Sequence, residues 1–288
     1  MQWLPLVIAT VTALALAQPV ISMLDRAGVV RTNYRGLEVP GASGLVIIAA
    51  VVIALTPLSA IDELIDSDTL QPGLGRILSY AVGVAFIGLL DDVLGAAPER
   101  APGAAPPRGL RGHGRATAGG TLSTGTLKAA GTLGLALFVT SGTDRSTGEY
   151  LVAVGVLVLS THVFNLLDLR PGRALKVFVA LGLALTVATW DVGPLQRLGL
   201  LVGPALVLLP YDLGQRAMLG DVGSNVVGAT AGLWLVLSLS TTGQLVALAV
   251  LAIVAAYGEF RSISLLIEKN PLLRRLDSLA IRNNERPP

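Results

Sequence analysis

Apolar and polar positions alternate along this chain in long blocks, not at the short spacing of an element with one wet face. Nine apolar blocks stand out, at residues 3–23, 43–61, 74–90, 127–141, 148–167, 174–190, 194–211, 226–240 and 243–257. Blocks of about 20 apolar residues match the hydrocarbon thickness of a bilayer. The pattern predicts an all-α fold: a polytopic membrane helix bundle of nine transmembrane helices. The first block contains Ala15-Leu16-Ala17, the small-x-small form of a signal-peptidase site. No positive charge precedes it, as a signal peptide requires, so a retained helix is expected.

Between the blocks lie polar segments. Residues 1–258 form the expected membrane domain, with loops at 25–42, 91–126, 168–173 and 212–225 on one side, and 259–288 form a charged tail. In the tail, Leu272, Leu276 and Leu279 recur at helical spacing, with Arg274 and Arg275 off that line. Such a helix lies either on an anionic leaflet or on the protein's own loops.

Composition agrees with a membrane bundle: 52% of residues are hydrophobic and 14% charged, above and below a soluble domain respectively. There is no cysteine, which excludes disulfides, thiol catalysis and cysteine–zinc sites. The partners this class implies are a lipid bilayer and no nucleic acid. Internal repeats of the kind that mark many transporters are absent from the sequence.

Charge distribution orients the bundle. With nine spans, eighteen of the 21 Lys and Arg residues fall on one side, and only Arg76, Arg145 and Arg197 on the other. The basic side is expected to be cytoplasmic, with the N-terminus outside and the C-terminus inside.

Three acidic motifs then share the cytoplasmic face. Gly88-Leu89-Leu90-Asp91-Asp92 ends the third block, Asn165-Leu166-Leu167-Asp168 ends the fifth, and Gly220-Asp221-Val222-Gly223-Ser224-Asn225 precedes the eighth. A carboxylate is expensive in hydrocarbon and tolerable at its edge. Taken alone, Asp91 and Asp92 read equally well as a helix end and as an active-site pair. Several carboxylates at one end of a bundle make a hard-oxygen site suited to magnesium, which fills its shell with phosphate oxygens and water. Lys128, Arg170, Arg173 and Lys176 lie near these motifs and can neutralise phosphates, or simply mark the positive-inside flank. The glycines around Asp221 allow backbone N–H groups to approach an anion, or form a helix-start turn. His162, inside the fifth block, reads as a packed or hydrogen-bonded histidine and not as a ligand, and His113, in a Gly/Arg loop, as a solvated one or a phosphate contact.

Together these motifs resemble the polyprenyl-phosphate N-acetylhexosamine-1-phosphate transferases, relatives of phospho-N-acetylmuramoyl-pentapeptide transferase. The match also includes Asn33-Tyr34-Arg35-Gly36 with Val39-Pro40, and Met218-Leu219 before Gly220. The resemblance implies an enzyme of the plasma membrane with its active site on the cytoplasmic face. It would transfer a sugar-1-phosphate from a UDP-N-acetylhexosamine to polyprenyl phosphate with Mg2+, releasing UMP, in cell-envelope glycan synthesis. By carry-over, Asp91, Asp92, Asp168 and Asp221 are the catalytic set, with Asp221 and Asp168 on the metal. Asn165, Lys128, Arg170, Arg173, Gly223, Ser224 and Asn33 are the substrate-binding set, and a homodimer is an expected assembly. Pro171 stands where the family carries a second aspartate, and no histidine follows His162. These departures place the chain on a divergent branch and motivate an alternative: a catalytically impaired relative that binds lipid phosphate or scaffolds envelope enzymes. An intramembrane prenyltransferase is a third reading, disfavoured by the spacing of the aspartates.

Overall fold

The structure is a computed structural model that describes residues 1–65, 69–94 and 124–281. His113, most of the 91–126 loop, Asp66, Asp68 and the last seven residues lie outside the described residues. Among the described residues a helix lies on every apolar block: α1 (Leu4–Arg26), α2 (Leu45–Ile65), α3 (Leu74–Leu94), α4 (Thr124–Thr140), α5 (Thr147–Leu167), α6 (Arg173–Thr189), α7 (Gly193–Arg197) continuing as α8 (Gly199–Leu213), α9 (Gly220–Ser238) and α10 (Thr241–Phe260). Two short helices, α11 (Ile263–Lys269) and α12 (Pro271–Ser278), make the tail. Five helices are long and apolar enough to cross a membrane: α1, α2, α3 (over Leu74–Val93), α5 and α10. The chain is a helical membrane protein on that ground.

Small residues decide the packing. α9 is buried along nearly its whole length and lies against α5, α3 and α6. Without a hydrophobic force between helices in lipid, close backbone approach is what binds them. Gly228 and Gly232 supply it, because a Cβ at either would press on Thr161, Ser160 or Leu157 of α5. Tyr80 fixes α3 to α5, its hydroxyl donating to the Leu157 carbonyl at 3.2 Å and meeting Thr161 Oγ1 at 3.1 Å. α10 packs on α5 with its other side bare at Val246, Val250 and Ile253.

One element departs from the all-α expectation. Within the 25–42 loop, β1 (Val30–Thr32) and β2 (Glu38–Pro40) pair antiparallel, with Arg31 opposite Val39. Asn33 Oδ1 closes the turn by accepting the N–H groups of Arg35 (2.9 Å) and Leu37 (3.0 Å). The chain after β2 then binds the approach to α9: Met218 N–H donates to the Pro40 carbonyl, and Ser43 and Gly44 N–H to those of Met218 and Leu219. A Cβ at Gly44 would collide with Gly223, so α2 and α9 start in backbone contact. The hairpin thereby sets where Asp221 stands.

Candidate active site

Adjacent residues on a helix point about 100° apart, so Asp91 and Asp92 cannot serve one place. Asp92 turns inward and is 5% exposed. Its Oδ1 accepts the N–H of Asp221 and its Oδ2 that of Val222, both at 3.0 Å. Arg31 Nη2 lies 2.9 Å from Oδ1. The first N–H groups of any helix lack intrahelical partners, and Leu219 provides no side-chain cap for α9. Asp92 caps α9 from a neighbouring helix. Gly220 makes that approach possible, since its φ is +69° and a Cβ there would lie 2.7 Å from Asp92 Oδ2.

Asp91 points the other way, toward Lys128 and Asp221. Lys128 Nζ sits 3.7 Å from Asp91 Oδ2 and 3.2 Å from Asp221 Oδ1. The Asp91 and Asp221 side chains are themselves in hydrogen-bond contact, with Thr124 on Asp91 as well. Asn165 Nδ2 donates to Asp221 Oδ1 and, at 3.0 Å, to the fully buried Ser224 Oγ. α3, α4, α5 and α9 thus all contribute side chains to a single cluster.

Asp168 ends α5 as its C-cap, its N–H donating to the Asn165 carbonyl. Burial, then the carboxylates of Asp212, Asp221 and Asp92, push its pKa well above the ordinary carboxylate range. Its foremost charged neighbour is Asp212, a buried side chain at the end of α8 that accepts the Gly172 N–H at 2.9 Å. Asp212 therefore fixes the turn of residues 168–173, where Gly172 has a φ of +69°.

A cavity of about 380 Å³ opens beside the cluster. Gly125, Lys128, Ala129 and Thr132 line it from α4, at the i, i+3, i+4, i+7 spacing of one helix face. From α5 it takes Asn165 and His162 near the carboxylates and Val158 and Leu159 further along. Seven residues of helix rise about 10 Å, so the slot runs roughly that far from the carboxylates into the bundle. Its beginning is charged and its continuation apolar. His162 is half-buried and lines this slot with Glu259 of α10.

Several expected site residues stand elsewhere. Arg170 pairs with Glu268 (2.5 Å) and Asp277 (3.5 Å). Arg173, 3% exposed, grips Asp277 through Nε at 2.7 Å and Nη2 at 2.9 Å. These two arginines bind the tail, because its acidic residues are closer than the cluster is. A Cβ at Gly223 would press on Gly44 and Leu219, so it also serves the contact of α9 with the start of α2. Asn33 is buried in its own turn, with Nδ2 donating to Gln215 Oε1 at 3.3 Å.

Three residues beside the cluster escaped the sequence reading. Asp212 carried the signal already read at Asp91 and Asp168, a carboxylate where an apolar block ends. Glu259 carried it too, two residues after the ninth block, and Arg31 carried none, because a hairpin delivers it.

The donor set suits a hard cation within limits. Among the described residues no group of three or more His, Asp or Glu side chains is arranged to hold a metal ion. Asp91 and Asp221 are two carboxylates in contact, and one or two suffice for magnesium when phosphate oxygens and water complete the shell. Among the described residues Arg31 pairs with Asp92, Lys128 lies against Asp91 and Asp221, and Lys176 lies near Asp212. No protein-family model matches the sequence, and the search of curated proteins finds no match.

Proposed function

We propose that the cluster transfers a sugar-1-phosphate from a UDP-N-acetylhexosamine to polyprenyl phosphate, releasing UMP, in envelope glycan synthesis. The observation that carries this reading is the meeting of Asp91, Lys128 and Asn165 at the charged beginning of a slot that continues mostly apolar between α4 and α5, with Asp221 against Lys128 and Asn165. A lipid phosphate needs that polarity gradient: headgroup among charges, chain among Val158 and Leu159. Phosphoryl transfer asks a protein mainly for positioning and charge neutralisation.

In the reaction an oxygen of the lipid phosphate attacks the phosphorus that bears the sugar. The bond from that phosphorus to the UMP oxygen breaks, and UMP leaves with the electron pair. Lys128 stands between the two carboxylates and balances charge on the phosphates. Asp91 orients the attacking phosphate and accepts its proton where one remains. Asn165 holds the Asp221 carboxylate in place, and Asp92 and Arg31 hold the start of α9. Asp221, with Asp91 beside it, would hold magnesium, which when bound offsets diphosphate charge; Asp168 stands behind them, next to Asp212. All nine apolar helices or helix pairs cross the plasma membrane in this reading, with the N-terminus outside and the cluster on the cytoplasmic face where UDP-sugars are.

The test is a panel of UDP-sugars with purified protein, undecaprenyl phosphate and magnesium, read as UMP. Wild type should release UMP from at least one amino sugar, and Asp221→Ala should not. Equal silence of the two across the panel would overturn the reading. A second reading has its own support, since Arg170 and Arg173 are committed to the tail and leave Lys128 as the basic residue against the carboxylate pair. A non-catalytic relative that binds lipid phosphate would show nucleotide or lipid binding without turnover.

A further inference from the structure

The tail after α10 is gripped on one side and bare on another. Arg173, in the first turn of α6, holds Asp277 through two bonds and Ser264 Oγ through a third at 3.1 Å. Lys176, one turn further into α6, donates to the carbonyls of Leu276, Asp277 and Leu279. Ile263 is buried and Ile267 packs on the core. These contacts pin α12 beside the first turn of α6. An apolar helix begins there, so α12 sits at the depth where a bilayer begins and not out in solution.

The rest of the tail surface has a different character. Leu272, Leu273, Leu276 and Leu279 are exposed on α12 and just beyond it, as are Leu265 and Leu266 on α11. Lys269, Arg274 and Arg275 are exposed and make no ion pair among the described residues. Contiguous exposed leucines on a helix mark a surface that something covers.

We propose that α12 lies in the membrane–water interface, with its leucines in the acyl boundary and Lys269, Arg274 and Arg275 on anionic lipid headgroups. The Arg173–Asp277 pair is the pin that holds it there. Two observations select an anionic leaflet as the occupant. Basic residues beside an apolar helix face are what such a leaflet attracts. The tail also continues directly from α10, whose Val246, Val250 and Ile253 are exposed on a helix long and apolar enough to cross. A second copy is a poor fit, because two α12 surfaces would bring arginines against arginines. The inference needs α6 and α10 in the bilayer and is independent of the transferase chemistry.

The natural absence of cysteine gives a direct test with the full chain in lipid vesicles. Single variants Leu276→Cys, Leu272→Cys and Ser278→Cys are spin-labelled, and each label's exposure to oxygen is compared with that to a water-soluble nickel complex. In phosphatidylcholine with phosphatidylglycerol, labels at 276 and 272 should read as lipid-immersed and the label at 278 as aqueous. In phosphatidylcholine alone the immersion should weaken. Arg274→Gln with Arg275→Gln should reduce the anionic-lipid preference about 25-fold, since each basic residue near an anionic surface is worth roughly a factor of five. An aqueous reading at both 272 and 276 in both lipids would overturn the proposal. So would spin–spin broadening at 276, which would assign the leucines to a second copy, or occlusion from both probes, which would assign them to the protein's own loops.

Discussion

Asp91 and Asp92 are neighbours with opposite fates, and the difference is testable one residue at a time. Asp92 meets two backbone N–H groups and a guanidinium. Asp92→Asn keeps the shape but sets an amide donor against donors and removes the charge that Arg31 balances. It should destabilise the protein by about 2 kcal/mol, seen as a lower unfolding temperature in detergent. Asp91→Asn should leave the unfolding temperature near wild type while abolishing UMP release. Equal loss of stability in the two variants would show that both carboxylates are structural. Glycine gives a second contrast. Gly44→Ala would drive a methyl into Gly223, whereas Gly134→Ala in α4 meets nothing within 4 Å. The first should cost about 1–3 kcal/mol from overpacking, and the second should be neutral or stabilising by up to about 1 kcal/mol from helix propensity. Unfolding midpoints of the two variants check this.

At the scale of elements, docking of the tail depends on one carboxylate. Burial pushes the Asp277 carboxyl up, but the hydrogen bonds and charge of Arg173, with the charges of Lys176 and Arg170, outweigh it. The group is held below the ordinary range. A carboxyl held low when docked contributes its full stabilisation above the free aspartate value of about 3.9. That contribution fades as pH falls through the lowered docked value. The tail should therefore stay docked from neutral pH down to about pH 4 and release below it. Proteolytic nicking within residues 263–279, measured against pH, checks the step, and Asp277→Asn should remove it. Asp277→Ala leaves Arg173 buried without its carboxylate, which should cost docking about 3 kcal/mol.

For the whole molecule, the central question is how many helices cross. α4 and α6 have 17 residues and α8 has 15, lengths of roughly 25 and 22 Å at the α-helical rise. They are shorter than the five long helices, and α8 gains length from α7. Crossing by all nine puts residues 2 and 144 outside and 278 inside. Single-cysteine variants Gln2→Cys, Asp144→Cys and Ser278→Cys should divide accordingly under a membrane-impermeant maleimide. The first two should label in intact cells and the third only after permeabilisation. Labelling of all three from one side would refute the register and, with it, the placement of the cluster toward cytoplasmic UDP-sugars.

What could be read along the chain and what could not follow from one physical distinction. Helix positions were legible because a helix in a bilayer must satisfy its own backbone hydrogen bonds, and a block of apolar residues carries that requirement locally. The carboxylates at block ends were legible for a related reason, since charge is tolerated at the edge of hydrocarbon and not within it. Asp91, Asp168 and Asp221 were therefore visible in the sequence, and so was the bare leucine line of the tail. Which carboxylate faces Lys128 was not visible, because a helix's rotation about its axis is set by glycine contacts such as that of Gly88 in α3 with the Asp221–Val222 backbone. Nor was the diversion of Arg170 and Arg173 to Glu268 and Asp277, across about a hundred residues of chain. The hairpin that sets α9 in place, the cap that Asp92 lends it, and the entry of His162 and Glu259 into the slot also arise only in the folded chain. By itself the sequence determined where the helices lie and which of their ends carry charge. Only the tertiary structure decided which of those charges meet, because meeting depends on packing between residues far apart in the chain.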